Sequence, residues 1–193
     1  MPFSFEKTDV LGVVLCVPKV FRDERGFFLE YYRADQYRAG GIADTFVQDN
    51  RSSSRKNVLR GLHFQLRKPQ AKLVSCIRGE IFDVAVDIRK GSPTFGKWSA
   101  AVLSADNHHQ LYVPRGFAHG FCVLSDVAEI QYKCSDYYDP TDDHGVLWND
   151  PFLAIDWPVT DPVLSAKDVV QPRVNDAELP PYRVAFDTAQ QAQ

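Results

Sequence analysis

The 193-residue sequence holds no apolar run approaching the roughly 20 residues that a membrane helix needs. Its first residues, Met1-Pro2-Phe3-Ser4-Phe5-Glu6-Lys7, carry no signal-peptide pattern, so a cytoplasmic protein without a membrane role is expected. No C-x-x-C pair occurs. Cys16, Cys76, Cys122 and Cys134 each lie in an apolar run, which predicts reduced core thiols. An excess of positive charge is missing too: the formal net charge is -3, so no global field draws nucleic acid. If the substrate is anionic, its basic site must be local. There is no glycine-rich phosphate loop, and no Ser or Cys in a nucleophile-elbow context, which argues against acyl transfer. Repeats, linkers and low-complexity blocks are absent as well.

What is present is an ordinary globular balance of 45% hydrophobic and 24% charged residues. One domain with a sizeable core is expected over residues 1–186, followed by a disordered tail at 187–193. Apolar or β-branched runs at 58–65, 71–78, 80–88, 97–103, 110–113, 118–124 and 127–134 predict strands, most of them separated by Gly, Pro, Asn or Asp. An aromatic strand is expected at 27–32 after the turn Asp23-Glu24-Arg25-Gly26, and a strand end at 45–50. Residues 51–57 are polar and basic and read as a loop. Short helices are predicted over Ala34 to Ala39 and around Ser165 to Val170, the second within a proline-rich C-terminal cover. Many short strands with hardly a helix mean an all-β sandwich or barrel.

The chain is organised around Val58-Leu59-Arg60-Gly61-Leu62-His63-Phe64-Gln65, a strand with awkward polar insertions. A cation and an imidazole inside a buried sheet are costly unless they have partners, so a lined cavity is expected here. Strand parity turns Lys72 inward with Val74 and Cys76, and Tyr132 inward with Ala128, Ile130 and Cys134. In residues 81–88 parity sets Asp83 and Asp87 on the face opposite Phe82, Val84, Val86 and Ile88. Arg60 and His63 are three apart, so a regular strand sends them to opposite faces. Either Gly61 marks a bulge or bend, or the two serve different surfaces.

Of the five histidines, His108, His109 and His144 sit in turn or acidic contexts and read as solvated. His119 lies in Pro114-Arg115-Gly116-Phe117-Ala118-His119, and this P-x-G-x-x-H pattern resembles the second motif of the cupin barrels. That favours a cupin-like jelly-roll barrel with short peripheral helices and an irregular C-terminal cover. Metal-binding cupins place an H-x-H pair near His63, but position 65 is Gln, and no metal is expected. His63, His119, Lys72, Arg60 and Tyr132 then form a metal-free set. A neutral imidazole can take a proton, a phenol can return one, and a cation can stabilise an oxyanion. Together they suit proton abstraction beside a carbonyl.

The runs Phe21 to Glu30, Phe46 to Asn50, Asn57 to Gln65, Phe82 to Arg89, Gly116 to Phe121, Tyr132 to Tyr138 and Leu164 to Asp168, in this order, resemble the dTDP-4-dehydrorhamnose 3,5-epimerases. The resemblance covers about Val10 to Pro172. It implies a cofactor-independent homodimer that inverts C3 and C5 of dTDP-4-dehydro-6-deoxy-D-glucose. It also implies roles: His63 as base in a dyad with Asp168, Tyr132 as acid, Lys72 as enolate stabiliser. Arg25, Glu30, Gln48, Asn50, Arg60, His119 and Lys167 match positions that hold the nucleotide sugar, and Tyr138 one that stacks on thymine. Asp143 stands where many members carry Glu, with a shorter reach to substrate. The rivals are an epimerase limited to C3 or C5, a non-catalytic sugar-nucleotide binder, and a metal-dependent cupin.

Overall fold

Thirteen strands lie among residues 2–183, the part of the chain that the computed structural model describes, and most are runs of β-branched and aromatic residues broken by Gly, Pro and Asp. The expected tail at 187–193 lies outside the described residues. Six strands lie side by side in the order β1 (Phe3–Lys7), β2 (Val14–Pro18), β10 (Gln110–Val113), β7 (Lys72–Arg78), β12 (Val127–Cys134), β5 (Gln48–Arg55). A second sheet runs β13 (Asp143–Gly145), β6 (Leu59–Gln65), β11 (Phe117–Val123), β8 (Glu80–Asp87), β9 (Trp98–Ser104). β3 (Phe21–Asp23) and β4 (Gly26–Phe28) form a separate hairpin. The ladders are antiparallel, and the architecture is the all-β jelly roll expected.

The two sheets pack face to face. Val74, Cys76 and Ile130 from the larger sheet meet Ile81, Ala85 and Phe121 from the smaller one. Burying the larger of these, Val74, Ile81, Phe121 and Ile130, contributes about 1.5–3 kcal/mol each. The back of the smaller sheet, through Phe64, Val84 and Val86, is covered by Leu153, Val174 and Leu179 of the proline-rich C-terminal segment. The back of the larger sheet is covered by α1 (Ala34–Ala39), whose Tyr37 packs with Phe3, Cys16 and Tyr112. α2 (Ala166–Val169) starts at Ser165, whose hydroxyl accepts from the Asp168 N–H. The four cysteines are free and buried, and burial pushes the Cys76 and Cys122 thiols up to about 11, so they stay protonated and inert.

Several expectations are corrected. Residues 51–55 are not loop but the continuation of β5. This strand is at a sheet edge with one face toward solvent, and Arg51, Ser53 and Arg55 occupy that face, so polarity does not disqualify it. The aromatic strand at 27–32 stops at Phe28, because its only partner is the three-residue β3. His108 is not solvated: its ring packs against Phe27, tilted by 42° with centroids 4.6 Å apart, and it is buried.

The parity conflict is resolved at Gly61. In the β6–β11 ladder His63 faces His119 and Arg60 faces Phe121, three steps on one strand against two on the other. That is a bulge, and it brings both side chains to one cavity. Gly61 has φ +125°, open to glycine and strained for other residues. It also lies against Gly120, where an added Cβ would come within 2.6 Å of the Gly120 Cα.

Candidate active site

Register gathers the polar side chains at one mouth of the sandwich. In the larger sheet Tyr132 lies directly across from Asn50, and Cys134 from Lys72 on one side and Gln48 on the other. Lys72, Tyr132, Gln48 and Asn50 therefore share a face. The smaller sheet supplies His63 and its cross-strand partner His119. A cavity of about 370 Å³ between them is lined by Arg60, His63, Lys72, His119, Tyr132 and Asp168, among others. A second lobe of about 350 Å³ shares His63, Lys72 and Tyr132 and opens past Gln48, Asn50, Tyr138 and Asp143. Each is within the size range of small-ligand sites.

His63 Nε2 is 2.5 Å from Asp168 Oδ1, and the Ser165 hydroxyl donates to Asp168 Oδ2 at 2.8 Å. The imidazole is thus held by a buried carboxylate that is itself anchored at a helix start. Burial raises the Asp168 carboxyl, but the hydrogen bond and charge of His63, with help from Ser165 and Lys167, outweigh it and hold the group below its ordinary value. Nδ1 of His63 has no hydrogen-bond partner among the described residues. Burial pushes the Tyr132 phenol up and the Lys72 ammonium down. His119 Nε2 bonds Asp83 Oδ1 at 2.8 Å, and burial holds His119 below its usual value against the opposing charge of Asp83. Lys72 Nζ and the Tyr132 hydroxyl make no hydrogen bond among the described residues, which leaves both free for a ligand. An imidazole on one sheet, with a phenol and a cation on the other, can move protons across an enolisable carbon.

Comparison with known proteins decides the family. The model of the dTDP-4-dehydrorhamnose 3,5-epimerases matches residues 7–176. The chain belongs to the dTDP-4-dehydrorhamnose 3,5-epimerase family. A relative of that name from Neisseria gonorrhoeae is 58% identical over 164 residues, 84% of this chain, and the chain spans 50% of that longer protein. One from Shigella flexneri is 53% identical over 174 residues, 89% of this chain and 96% of the relative. The crystal structure of dTDP-6-deoxy-D-glucose-3,5-epimerase from Legionella pneumophila Philadelphia 1 in complex with dTDP-4-keto-L-rhamnose has 49% identity and a TM-score of 0.90, covering 94% of this chain and 99% of that one.

Most of the residues matched to this epimerase family converge in the structure. At the mouth Asp143 Oδ2 pairs with Lys167 Nζ and accepts from the Tyr138 hydroxyl at 3.0 Å, so the shorter acid braces two neighbours. Gln48 accepts from the Tyr138 N–H at 3.0 Å and donates to Asn50 at 3.1 Å. Gln65, at the position of the missing second cupin histidine, is spent on the backbone of Asp139 at 2.7 Å. Two residues stay away from the cavity. The Arg25 side chain is 85% exposed at the tip of the β3–β4 hairpin, paired with Asp23, and Glu30 lies within 3.7 Å of Arg33. Sequence reading missed Asp83. Parity set it opposite an apolar row, but that row faces the C-terminal cover, so Asp83 points between the sheets. The usable signal was a carboxylate in a strand with no charged neighbour to pair with it.

Proposed function

We propose that this chain inverts C3 and C5 of dTDP-4-dehydro-6-deoxy-D-glucose, giving dTDP-4-dehydro-L-rhamnose for dTDP-L-rhamnose biosynthesis. The observation that supports the reading is that His63 and Tyr132 line one cavity from opposing sheets. His63, on the smaller sheet, takes the proton from the carbon beside the C4 ketone, and Asp168 supports the imidazolium so formed. The C–H electron pair moves into an enolate whose oxygen is held by the Lys72 ammonium. Tyr132, on the larger sheet, returns a proton to the other face, and solvent resets both groups. Both carbons flank one ketone, so one apparatus serves each in turn. Arg60, Lys167, Gln48, Asn50 and His119 are the groups we assign to the nucleotide sugar, with Tyr138 against thymine. Retained dTDP contributes orientation at the reacting carbons. No step calls for a cofactor.

Incubation of the 4-keto sugar nucleotide in D2O, followed by NMR, tests this directly. Deuterium is expected at both C3 and C5. Label at one carbon makes the protein a single-site epimerase, and binding without label makes it a non-catalytic binder.

The direction of two pKa shifts predicts the alkaline limb of kcat/KM. The reaction needs Lys72 as ammonium and Tyr132 as phenol. Lys72 is lowered by burial and Tyr132 raised, so Lys72 loses its proton first. Activity is therefore expected to fall below the ordinary lysine range. A limb at or above that range would mean that the charged lysine is not required.

The exposed hairpin supports a homodimer as the working unit. An isolated two-stranded hairpin is marginal in water, yet Phe21, Phe27 and Phe28 stay largely exposed on this one. A second copy is the partner we assign to it, which would also carry Arg25 and Glu30 toward a cavity. Phe28→Asp is expected to shift the molecular mass by light scattering from dimer to monomer, and a dimeric variant would remove the hairpin from the interface. One domain, its four unpaired thiols at home in reducing cytoplasm, suffices for the proposed reaction.

A further inference from the structure

The buried carboxylates of this fold are not equivalent. Asp142 accepts from the Arg67 and Lys68 N–H groups and the Arg67 guanidinium. Asp87 takes Arg89, Ser92 and Thr94. Asp150 takes the N–H groups of Phe152 and Val174, and Asp168 takes His63 and Ser165. In each, both oxygens are used. Asp83 differs. It is fully buried, Oδ1 has a single partner in His119 Nε2 at 2.8 Å, and Oδ2 has no partner among the described residues. An oxygen left in this way keeps its full desolvation cost, so the half-satisfied carboxylate calls for a role beyond packing.

Register explains the placement. Asp83 lies across from Phe121, and His119 across from Ala85, so the two are diagonal neighbours on the face between the sheets. Lys72 enters the same space from the opposite sheet, and its ammonium feels the charge of Asp83. The other ionisable groups around it are His119 on β11, Arg60 and His63 on β6, Cys134 and Tyr132 on β12, Tyr138 after it, Asp143 on β13 and Asp168 on α2.

We propose that Asp83 is the positioning residue of this site: it supplies the fixed negative charge that keeps Lys72 an ammonium, and it holds His119 with Nε2–H toward the carboxylate and Nδ1 as an acceptor for a substrate hydroxyl. The arrangement leaves the Lys72 ammonium without a fixed partner among the described residues. A full ion pair would tie the ammonium down, whereas an uncommitted Oδ2 steadies its charge and leaves its donors for the developing enolate oxygen. Nδ1 of His119 has no other hydrogen-bond partner among the described residues. The proposal rests on the epimerase reading for its consequence in turnover, but its electrostatics stand apart from activity.

The test pairs Asp83→Asn, which keeps shape and removes charge, with NMR of the side chains. The Lys72 titration, followed by lysine 13Cε shifts, is expected to move at least about one pH unit lower in the variant, because an opposite charge has been withdrawn from a buried cation. The alkaline limb of exchange should move with it, with kcat falling about tenfold or more near pH 8 and KM changing little. In the wild-type protein, 15N shifts should show the Nε2–H tautomer of His119. An unmoved Lys72 titration overturns the proposal, and so does an Nδ1–H tautomer. Should Asp83→Asn fail to fold, the wild-type tautomer decides. Wild-type protein that exchanges no deuterium refutes the epimerase reading instead, and the two NMR measurements still judge Asp83.

Discussion

Replacing His63 by Asn is expected to reduce deuterium exchange at both C3 and C5 by about three orders of magnitude, while dTDP binds within about threefold of wild type. Asn keeps a polar group of similar size and removes the proton acceptor. His63 and Asp168 form one hydrogen-bonded pair at 2.5 Å, and Ser165 and the start of α2 hold the carboxylate. Asp168→Asn should therefore fall in the same direction, by about 10²-fold or more, through loss of the imidazolium's support. A unit of this kind is not additive, so the double variant should be little worse than His63→Asn alone. Binding is expected to survive because the groups assigned to the nucleotide, Arg60, Lys167 and Tyr138, hold their positions through Ser54, Asp143 and Gln48 rather than through His63. Calorimetry with dTDP and NMR in D2O separate the two effects. Exchange that persists in His63→Asn would identify another group as the base.

Strands β6 to β12 were legible because their residues are apolar on at least one face and their breaks are chemically marked. α1 was legible from its closing glycines, and α2 from Ser165 with Asp168 three residues on. The site was legible where a polar residue interrupts such a strand: Arg60, His63, Lys72 and Tyr132 all line the cavity. Three things were hidden for physical reasons. β5 is polar because an edge strand exposes a face, so hydrophobicity does not report it. Asp83 was placed on a face by parity, but parity does not say which face of a doubly covered sheet looks into the sandwich; that depends on the C-terminal cover packing on Phe82, Val84 and Val86. Arg25 and Glu30 lie on and beyond a hairpin whose setting is tertiary, and nothing local reports where its tip sits.

Gly61→Ala is expected to cost about 2–5 kcal/mol of stability and to lower Tm by roughly 5–15 °C. Two costs fall on one methyl group. The backbone at Gly61 has φ +125°, which an L-residue adopts only with strain. The new Cβ would also meet the Gly120 Cα at 2.6 Å and the His119 carbonyl at 2.7 Å, backbone atoms that cannot rotate away. The two strands must then separate, or the bulge must rearrange. Either way the relation between Arg60 and His63 changes, because the extra residue of β6 at this point is what puts both in one cavity. Activity should therefore fall further than the loss of folded protein explains, and residual exchange measured well below the variant's Tm should remain depressed. Gly91→Ala is the control: it too replaces a positive-φ glycine, but nothing lies within 4 Å of its added Cβ. That variant carries the backbone strain without the clash and lies away from the cavity lining, so it should lose some stability and keep its specific activity. If Gly61→Ala behaved like Gly91→Ala, the close approach of β6 and β11 would not be what sets the site.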